Sequence, residues 1–198
     1  MSNSHPSVII LAGPNGAGKS TAAPTLLQGK LAVTEFVNAD VIAQGLSGFN
    51  PDAVSLAAGR IMLRRLHELG KERASFAFET TLASRTFAPW LTRLMQTGYH
   101  FHLVYLWLPS VELAVARVAD RVRMGGHDVP EVTVRRRYRS GLRNFFRIYQ
   151  PITTSWRVYD NSSAPRMRLL AAGRGNTESV VKQIDHWNQI KRDWANES

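Results

Sequence analysis

Residues 13–20 form a pattern that specifies a chemistry on its own. They read GPNGAGKS, which matches G-x-x-x-x-G-K-[ST] in full. Glycines let successive backbone N–H groups converge on phosphate oxygens, and the helix that follows adds its amino-terminal dipole. In such a loop Lys19 is expected to reach the β- and γ-phosphates of a nucleotide, and Ser20 to ligate Mg²⁺. The spacing therefore predicts ATP or GTP binding, in preference to an ordinary glycine-rich turn.

Three acidic residues stand where strands are predicted to end, namely Asp40, Glu79 and Asp160. Ligands of parallel α/β sheets lie at the carboxyl ends of the strands, which makes these acids candidates for a site. Asp40 is suited to accept a proton from a hydroxyl group, because a loose phosphoryl-transfer transition state needs that proton removed only late. The alternative interpretations are a helix cap at Asp40 and a capping acid at Glu79.

The second half of the chain is rich in arginine. Residues 115–148 hold nine arginines, three acids and no lysine, a local net charge of +6 within an overall +10. The guanidinium group binds phosphate oxygens through two parallel hydrogen bonds, so this segment is typical of a phosphate clamp. Arg117 and Arg121 lie four apart on one helix face, where like charges are unfavourable without an anion. The alternative is a solvated helix face in an arginine-rich protein.

Apolar runs predict five strands, and the segments between them predict helices. The strands are expected at residues 8–11, 36–40, 75–78, 101–108 and 156–159. The helices are expected at residues 20–28, 53–69, 87–97, 111–123, 130–149 and 177–194. Trp187 and Trp194, seven residues apart, predict a stripe on the last helix that packs on the sheet. This alternation predicts an α/β fold with a parallel five-stranded sheet flanked by helices.

Length and composition limit the class of protein. A chain of 198 residues with 44% hydrophobic residues suits a single domain over residues 1–198. The absence of cysteine excludes disulfides and thiolate metal sites. The longest apolar run is far shorter than a membrane span, and the first seven residues lack the basic stretch of a signal peptide. We therefore expect a cytoplasmic protein that does not enter the membrane.

Missing motifs narrow the class of nucleotide-binding protein. The chain has no second signature loop of the ABC ATPases, since residues 46–48 continue as Phe49-Asn50, and it has no N-K-x-D for guanine. Small-molecule kinases need a carboxylate near the acceptor hydroxyl, an arginine-rich lid over the phosphates and an adenine contact. Asp40, the arginines within residues 111–149 and the segment around Asn161 are expected to supply them. The sequence thus predicts a P-loop kinase with a helical, arginine-rich lid.

Several motifs together resemble the zeta-toxin family of P-loop kinases, and most of all its short chromosomal branch. They are VIIL before GPNGAGKST, then FVNADVIA, FAFETT, RVADRVRMGGHDVP and RRRY, which together span about residues 8–162. The best-studied members of that family use ATP to phosphorylate a sugar hydroxyl of UDP-N-acetylglucosamine, and an antitoxin holds them inactive. The resemblance implies an Mg²⁺- and ATP-dependent kinase acting on a small, phosphate-bearing molecule, plausibly a nucleotide-sugar, with an antitoxin as a possible protein partner.

The resemblance also assigns roles to residues. Lys19 is the phosphate-loop lysine, Asp40 accepts the proton of the acceptor hydroxyl, and Arg117 or Arg121 braces the transferring phosphoryl group. The family's second arginine has no direct counterpart, because the equivalent stretch reads Gly-Gly-His-Asp, so the substitute is left open among lid residues His127, Arg135 and Arg136. The ATP-binding set is expected to be Gly13, Pro14, Asn15, Gly16, Ala17, Gly18, Lys19, Ser20, Thr21 and Asn161. The acceptor-binding set is expected to be Asp40, Glu79, Thr80 and Arg60.

Two alternatives to a small-molecule kinase stay open at the level of sequence. The net charge of +10 suits a polynucleotide or RNA kinase. The chain has no RNA-binding motif and no interleaved basic and aromatic segment, so nucleic acid ranks second. The missing second arginine leaves room for a nucleotide-binding protein without turnover. ATP binding without transfer to any acceptor is the behaviour that would identify it.

Overall fold

The computed structural model describes residues 5–30, 33–163 and 166–196. Most of the amino-terminal segment considered above for a signal peptide, residues 1–4, lies outside the described residues. The strands are β1 (Ser7–Ala12), β2 (Glu35–Val37), β3 (Phe76–Thr80), β4 (His100–Trp107), β5 (Ser155–Asp160), β6 (Arg168–Arg174) and β7 (Thr177–Val181). The helices are α1 (Lys19–Ala23), α2 (Ala39–Leu46), α3 (Ser55–Lys71), α4 (Phe87–Gln96), α5 (Val111–Arg123), α6 (Glu131–Asn144) and α7 (Ile184–Asn196).

Short turns of other helical types extend two of these helices. A π-helical segment, Pro24–Lys30, continues α1 past a proline that would break a regular α-helix. A second π-helical segment, Phe145–Tyr149, continues α6. The predicted helix at residues 53–69 begins and ends about two residues later, as α3, which includes Gly70. No helix in the described part of the chain combines the length and the apolar character needed to cross a membrane.

The strands form one sheet in the order β2-β3-β1-β4-β5-β6-β7. Strands β1 to β5 are mutually parallel, and β6 and β7 add to the β5 edge in antiparallel fashion. The predicted α/β class with a parallel sheet flanked by helices is confirmed. The predicted number of five strands is wrong, because the sheet has seven.

The error lies in the carboxyl-terminal segment, which was predicted as one helix over residues 177–194. The structure instead has a hairpin, β6 and β7, before a shorter helix α7. The Gly175-Asn176 pair between the two strands is a turn sequence typical of hairpins, and Gly175 has a positive φ of +48°. The sequence TESVV that follows contains three β-branched residues, which favour a strand.

Aromatic side chains fill one face of the sheet and hold α7 against it. The indole ring of Trp187 is fully buried and stacks on that of Trp156 with 5.5 Å between ring centroids. Two turns further along α7, the indole ring of Trp194 stacks on the ring of Phe146, with 4.9 Å between the ring centroids. The predicted tryptophan stripe is confirmed. The other face of the sheet packs against α1 and α5 through a separate cluster of aliphatic residues.

We expect Trp187→Ala to lower the free energy of unfolding by about 3–5 kcal/mol, because it removes the largest buried side chain of α7 and leaves a cavity. Urea unfolding followed by circular dichroism measures this change. The control is Leu56→Ala on α3, whose side chain is 80% exposed; it should change stability by less than about 0.5 kcal/mol. A Trp187→Ala variant as stable as this control would show that α7 does not contribute to the core.

Candidate active site

The phosphate-binding loop joins β1 to α1 in a conformation that requires glycine at three of its positions, Gly13, Gly16 and Gly18. Gly16 and Gly18 have φ angles of +79° and +77°. A Cβ atom on Gly16 would lie 2.7 Å from the carbonyl oxygen of Ala114, and one on Gly18 would lie 2.8 Å from Nδ2 of Asn161. The loop is therefore packed against α5 on one side and against the residues after β5 on the other, which fixes where its N–H groups point.

The ammonium group of Lys19 is buried at the centre of this loop. Its side chain is only 6% exposed, and Nζ donates a hydrogen bond to the carbonyl oxygen of Pro14 at 3.0 Å. The same Nζ lies 3.6 Å from Oε1 of Glu79. Burial lowers the pKa of Lys19, while the charges of Glu79 and Asp40 act to raise it. The buried ammonium group of Lys19 is thus paired with the Glu79 carboxylate, in a position suited to binding phosphate oxygens.

Glu79 connects the phosphate loop to the neighbouring strand. It lies near the end of β3, in register with Leu11 of β1, so its carboxylate reaches the loop directly. Oε2 accepts hydrogen bonds from the hydroxyl of Ser20 and from Nδ2 of Asn38, both at 2.9 Å. The resemblance predicts that Glu79 contacts the acceptor substrate. The structure shows it in contact with the loop residues Lys19 and Ser20 as well.

The Ser20 hydroxyl and the Glu79 carboxylate are suited to hold Mg²⁺. Both are hard oxygen donors, and they already lie at hydrogen-bond distance from each other. Mg²⁺ in kinases uses one or two protein ligands together with phosphate oxygens and water. Among the residues that the structure describes, no group of three or more His, Cys, Asp and Glu side chains is placed to hold a metal ion. An acid at the end of the strand beside β1 is the signal that pointed to Glu79.

Asp40 lies in the first turn of α2, three residues after β2 ends at Val37. The prediction that Asp40 itself ends the strand is therefore wrong. The cap of α2 is Asn38, whose Oδ1 accepts the backbone N–H of Asp40 at 2.8 Å while its Nδ2 donates to Glu79. Asn38 is buried and was missed by the sequence analysis. It fixes the carboxylate-bearing turn of α2 relative to Glu79.

A cleft of about 190 Å³ brings the acids, the lysine and an arginine together. Of the predicted acceptor residues, Asp40, Glu79 and Thr80 lie in it, whereas Arg60 is exposed on α3 and is not part of its lining. Position 60 lies on the solvent side of α3, whose buried side carries Ala58 and Met62 instead. The cleft is lined by Asn15, Lys19, Asn38, Ala39, Asp40, Met62, Glu79, Thr80, Thr81, Phe87 and Arg137.

The two arginines predicted to brace the phosphoryl group have different surroundings. The guanidinium of Arg117 donates to the carbonyl oxygens of Asn161 and Ser162, at 2.9 and 2.6 Å. It therefore joins α5 to the segment after β5 and does not line the cleft. Arg121 donates to the carbonyl oxygen of His127 at 2.7 Å, and its charge contributes to lowering the pKa of Lys19. Arg117 also contacts the phosphate loop, since its Nη1 donates to the carbonyl oxygen of Gly16 at 3.5 Å. Both arginines therefore lie on the phosphate side of the site.

The lid arginines proposed from the sequence, Arg135 and Arg136, do not line the cleft, whereas the adjacent Arg137 does. Arg135 forms ion pairs with Glu131 and Glu112, at 2.8 and 3.0 Å, on the outer side of α6, and Arg136 is exposed. Arg137 lines the cleft. Successive helix residues are rotated by about 100°, so one of three consecutive arginines faces a given side. His127 lies beside Asp40 in a separate small pocket of about 50 Å³.

Asn161, predicted to contact ATP, holds the phosphate loop. Its side chain is 5% exposed, and Nδ2 donates to the carbonyl oxygen of Ala17 at 2.7 Å. The preceding residue, Asp160, is also buried and accepts hydrogen bonds from the N–H of Ser162 and from Arg168, at 2.8 and 2.7 Å. These two residues fix the end of β5 against the loop. Thr21, also predicted to bind ATP, follows on the exposed side of α1.

Comparison with known families identifies the fold of this site. A family model described as AAA domain matches residues 8–147, most of the chain. The chain belongs to the AAA domain family. An uncharacterized protein of Haemophilus influenzae is 32% identical to this AAA-domain chain over 130 residues, covering 66% of this chain and 91% of that protein.

Two solved structures share the fold of this AAA-domain protein. A chain of the AvrRxo1-ORF1:AvrRxo1-ORF2 complex, solved with sulphate ions, superposes with a TM-score of 0.74 at 18% identity and covers 95% of this chain. This chain spans only 64% of the length of that AvrRxo1 chain. A chain of the PezAT chromosomal toxin–antitoxin system of Streptococcus pneumoniae superposes with a TM-score of 0.65 at 14% identity, covering 99% of this chain and 88% of that one. At these identities the likeness concerns the fold.

We expect Glu79→Gln to reduce the gain in ATP affinity that Mg²⁺ provides by about tenfold, because the variant loses a charged oxygen donor beside Ser20. Isothermal titration of ATP with Mg²⁺ and with EDTA measures the ratio of the two dissociation constants. Without metal, the variant should bind ATP at least as tightly as the wild type, since a negative charge near the phosphates is gone. The exposed Glu68→Gln serves as the control. An unchanged ratio in Glu79→Gln would exclude Glu79 from the metal site.

Asp160 should make stability depend on acid pH. Burial alone raises the pKa of Asp160, but hydrogen bonds from Ser162 and the Arg168 guanidinium outweigh it and lower the pKa below 3.8. Its stabilising contribution is therefore present above about pH 4 and is lost as the pH falls through the lower folded-state value. Asp160→Asn should cost about 1–3 kcal/mol near pH 7 and progressively less below about pH 4 in urea unfolding. A cost that is independent of pH would contradict this assignment.

Proposed function

We propose that this protein is an ATP-dependent phosphotransferase that phosphorylates a hydroxyl group of a small molecule. The supporting observation is that Asp40 and the phosphate-loop lysine, Lys19, line one cleft with Glu79 between them. A donor site and a carboxylate for the acceptor are thus within reach of one transferred group. Family membership and the ATP-bound AvrRxo1-ORF1:-ORF2 structure, with a TM-score of 0.70 at 19% identity, support ATP as the donor.

The proposed reaction uses the residues of the cleft as follows. The loop N–H groups and Lys19 bind the β- and γ-phosphates. The acceptor oxygen forms a bond to the γ-phosphorus, the bond to the β-phosphate oxygen breaks, and ADP leaves with that electron pair. The hydroxyl proton passes to the Asp40 carboxylate, which lies exposed at the mouth of the cleft. Mg²⁺ held at Ser20 and Glu79 would neutralise charge on the phosphates.

We infer the acceptor class and the partner from the zeta-toxin resemblance. It suggests a phosphate-bearing small molecule, with a nucleotide-sugar such as UDP-N-acetylglucosamine as the first compound to test. The AvrRxo1-ORF1:AvrRxo1-ORF2 and PezAT structures are both complexes with a partner protein, which supports a search for an antitoxin encoded by the adjacent gene. We place the reaction in the cytoplasm, where ATP is supplied, and in a single domain whose lid is formed by α5 and α6.

We expect Asp40→Asn to slow transfer by about 100-fold or more, the usual contribution of a general base, while the affinity for ATP changes by less than about twofold. The assay incubates the protein with Mg²⁺, ATP and a panel of hydroxyl compounds including UDP-N-acetylglucosamine. Mass spectrometry then detects products that carry one added phosphoryl group.

The matched control is Asp185→Asn, an exposed aspartate in the first turn of α7 that should leave transfer unchanged. A rate for Asp40→Asn equal to that of the wild type would remove Asp40 as the base. Tight ATP binding with no transfer to any acceptor would contradict the proposed phosphotransferase and would instead indicate a nucleotide-binding protein without turnover.

A further inference from the structure

Arg137 is a half-buried arginine of α6 to which the proposed reaction assigns no role. It projects from α6 into the cleft that holds Asp40 and Glu79. Within the described part of the chain, its guanidinium makes no hydrogen bond, although it carries five donors. Burial lowers the pKa of Arg137, the opposite charge of Asp40 raises it, and Arg136 adds to the lowering. A half-buried guanidinium whose donors are not used within this part of the protein is suited to bind an anion.

The packing of α6 fixes this orientation. Gly141, one turn after Arg137 on the same face, lies so close to the carbonyl of Thr81 that an added Cβ would meet its oxygen at 2.3 Å. Further along this face, Nδ2 of Asn144 donates to the carbonyl oxygens of Leu82 and Ala83, at 2.7 and 3.1 Å. The face of α6 that carries Arg137 is thus seated on the loop that follows β3, beside the Glu79 end of that strand.

The charges of two lid arginines, Arg121 and Arg137, act on different residues of the site. The charge of Arg121 acts on Lys19, at the phosphate end. The charge of Arg137 interacts with Asp40, at the acceptor end. Glu79 does not compete for Arg137, since its carboxylate is engaged by Lys19, Ser20 and Asn38. The position of Arg137 therefore matches an anion on the acceptor better than the phosphates of the donor.

We propose that Arg137 binds an anionic group of the acceptor, a carboxylate or a phosphate, next to the hydroxyl group that lies at Asp40. The inference rests on the proposed phosphotransferase function. It narrows the substrate class to hydroxyl compounds that carry a negative charge near the reacting hydroxyl. It also identifies Arg137, rather than Arg135, Arg136 or His127, as the lid residue that contacts substrate.

The test measures binding at the acceptor end with the donor site filled. The protein is saturated with Mg²⁺ and a non-hydrolysable ATP analogue and titrated by calorimetry with glycerol, glycerate and glycerol 3-phosphate. These three probes share a carbon skeleton, and they differ in carrying no anion, a carboxylate or a phosphate. We expect at least one anionic probe to bind about tenfold or more tightly than glycerol, and the better of the two identifies the anion.

Arg137→Gln should abolish this preference, whereas the exposed Arg147→Gln, which removes the same charge from the segment after α6, should retain it. Arg137→Lys keeps the positive charge but lacks the planar guanidinium, so it should retain part of the preference. This variant also provides a test if Arg137→Gln folds poorly. For any acceptor that is turned over, Arg137→Gln should raise the KM for the acceptor about tenfold or more and leave the KM for ATP within about twofold.

Two results would overturn the inference. One is wild-type protein that binds no anionic probe more tightly than glycerol, and the other is an unchanged preference in Arg137→Gln. The failure of the proposed function is distinguishable from either, because it appears as ATP binding without transfer in the mass-spectrometric assay, whereas these titrations measure only the binding of the probes.

Discussion

The site depends on a buried positive charge. Lys19 lies in the interior of the phosphate loop, where loss of water lowers its pKa, and Glu79 at 3.6 Å provides the opposing charge. The same carboxylate accepts hydrogen bonds from Ser20 and Asn38, so it fixes the lysine, the Ser20 hydroxyl and the start of α2 relative to one another. Replacing any partner would leave a desolvated charge or donor, which is costly.

The order of the strands makes this arrangement possible. Placing β3 beside β1 sets Glu79 against the phosphate loop, and placing β2 beside β3 brings α2 and Asp40 to the same edge. On the other side of β1, β4 and β5 carry α5 and Asn161, which hold the loop from behind. The cleft therefore opens on the β3 side of β1, and the residues on the β4 and β5 side support the phosphate loop.

The phosphate loop, the parallel strands and two of the three acids at strand ends, Glu79 and Asp160, were predictable, because short-range patterns determine them. Asp40 lies in the first turn of α2 instead. Strand β7 was missed because it is exposed along most of its length and lacks an apolar run. Strand β6 does contain an apolar run, Leu-Leu-Ala-Ala, which the sequence analysis did not assign. The choice of Arg137 among three adjacent arginines could not be made, since it depends on the contact of Gly141 with Thr81, far apart in sequence. Asn38 was missed for a similar reason, because its partner Glu79 lies on another strand.

The most direct test is a crystal structure of the protein with Mg²⁺ and a non-hydrolysable ATP analogue. Our account predicts that the γ-phosphate contacts Nζ of Lys19, that the metal lies between Ser20 and Glu79, and that the free face of the γ-phosphate points along the cleft toward Asp40. A γ-phosphate directed away from Asp40, or a metal bound by other residues, would contradict the proposal that this cleft transfers a phosphoryl group to an acceptor.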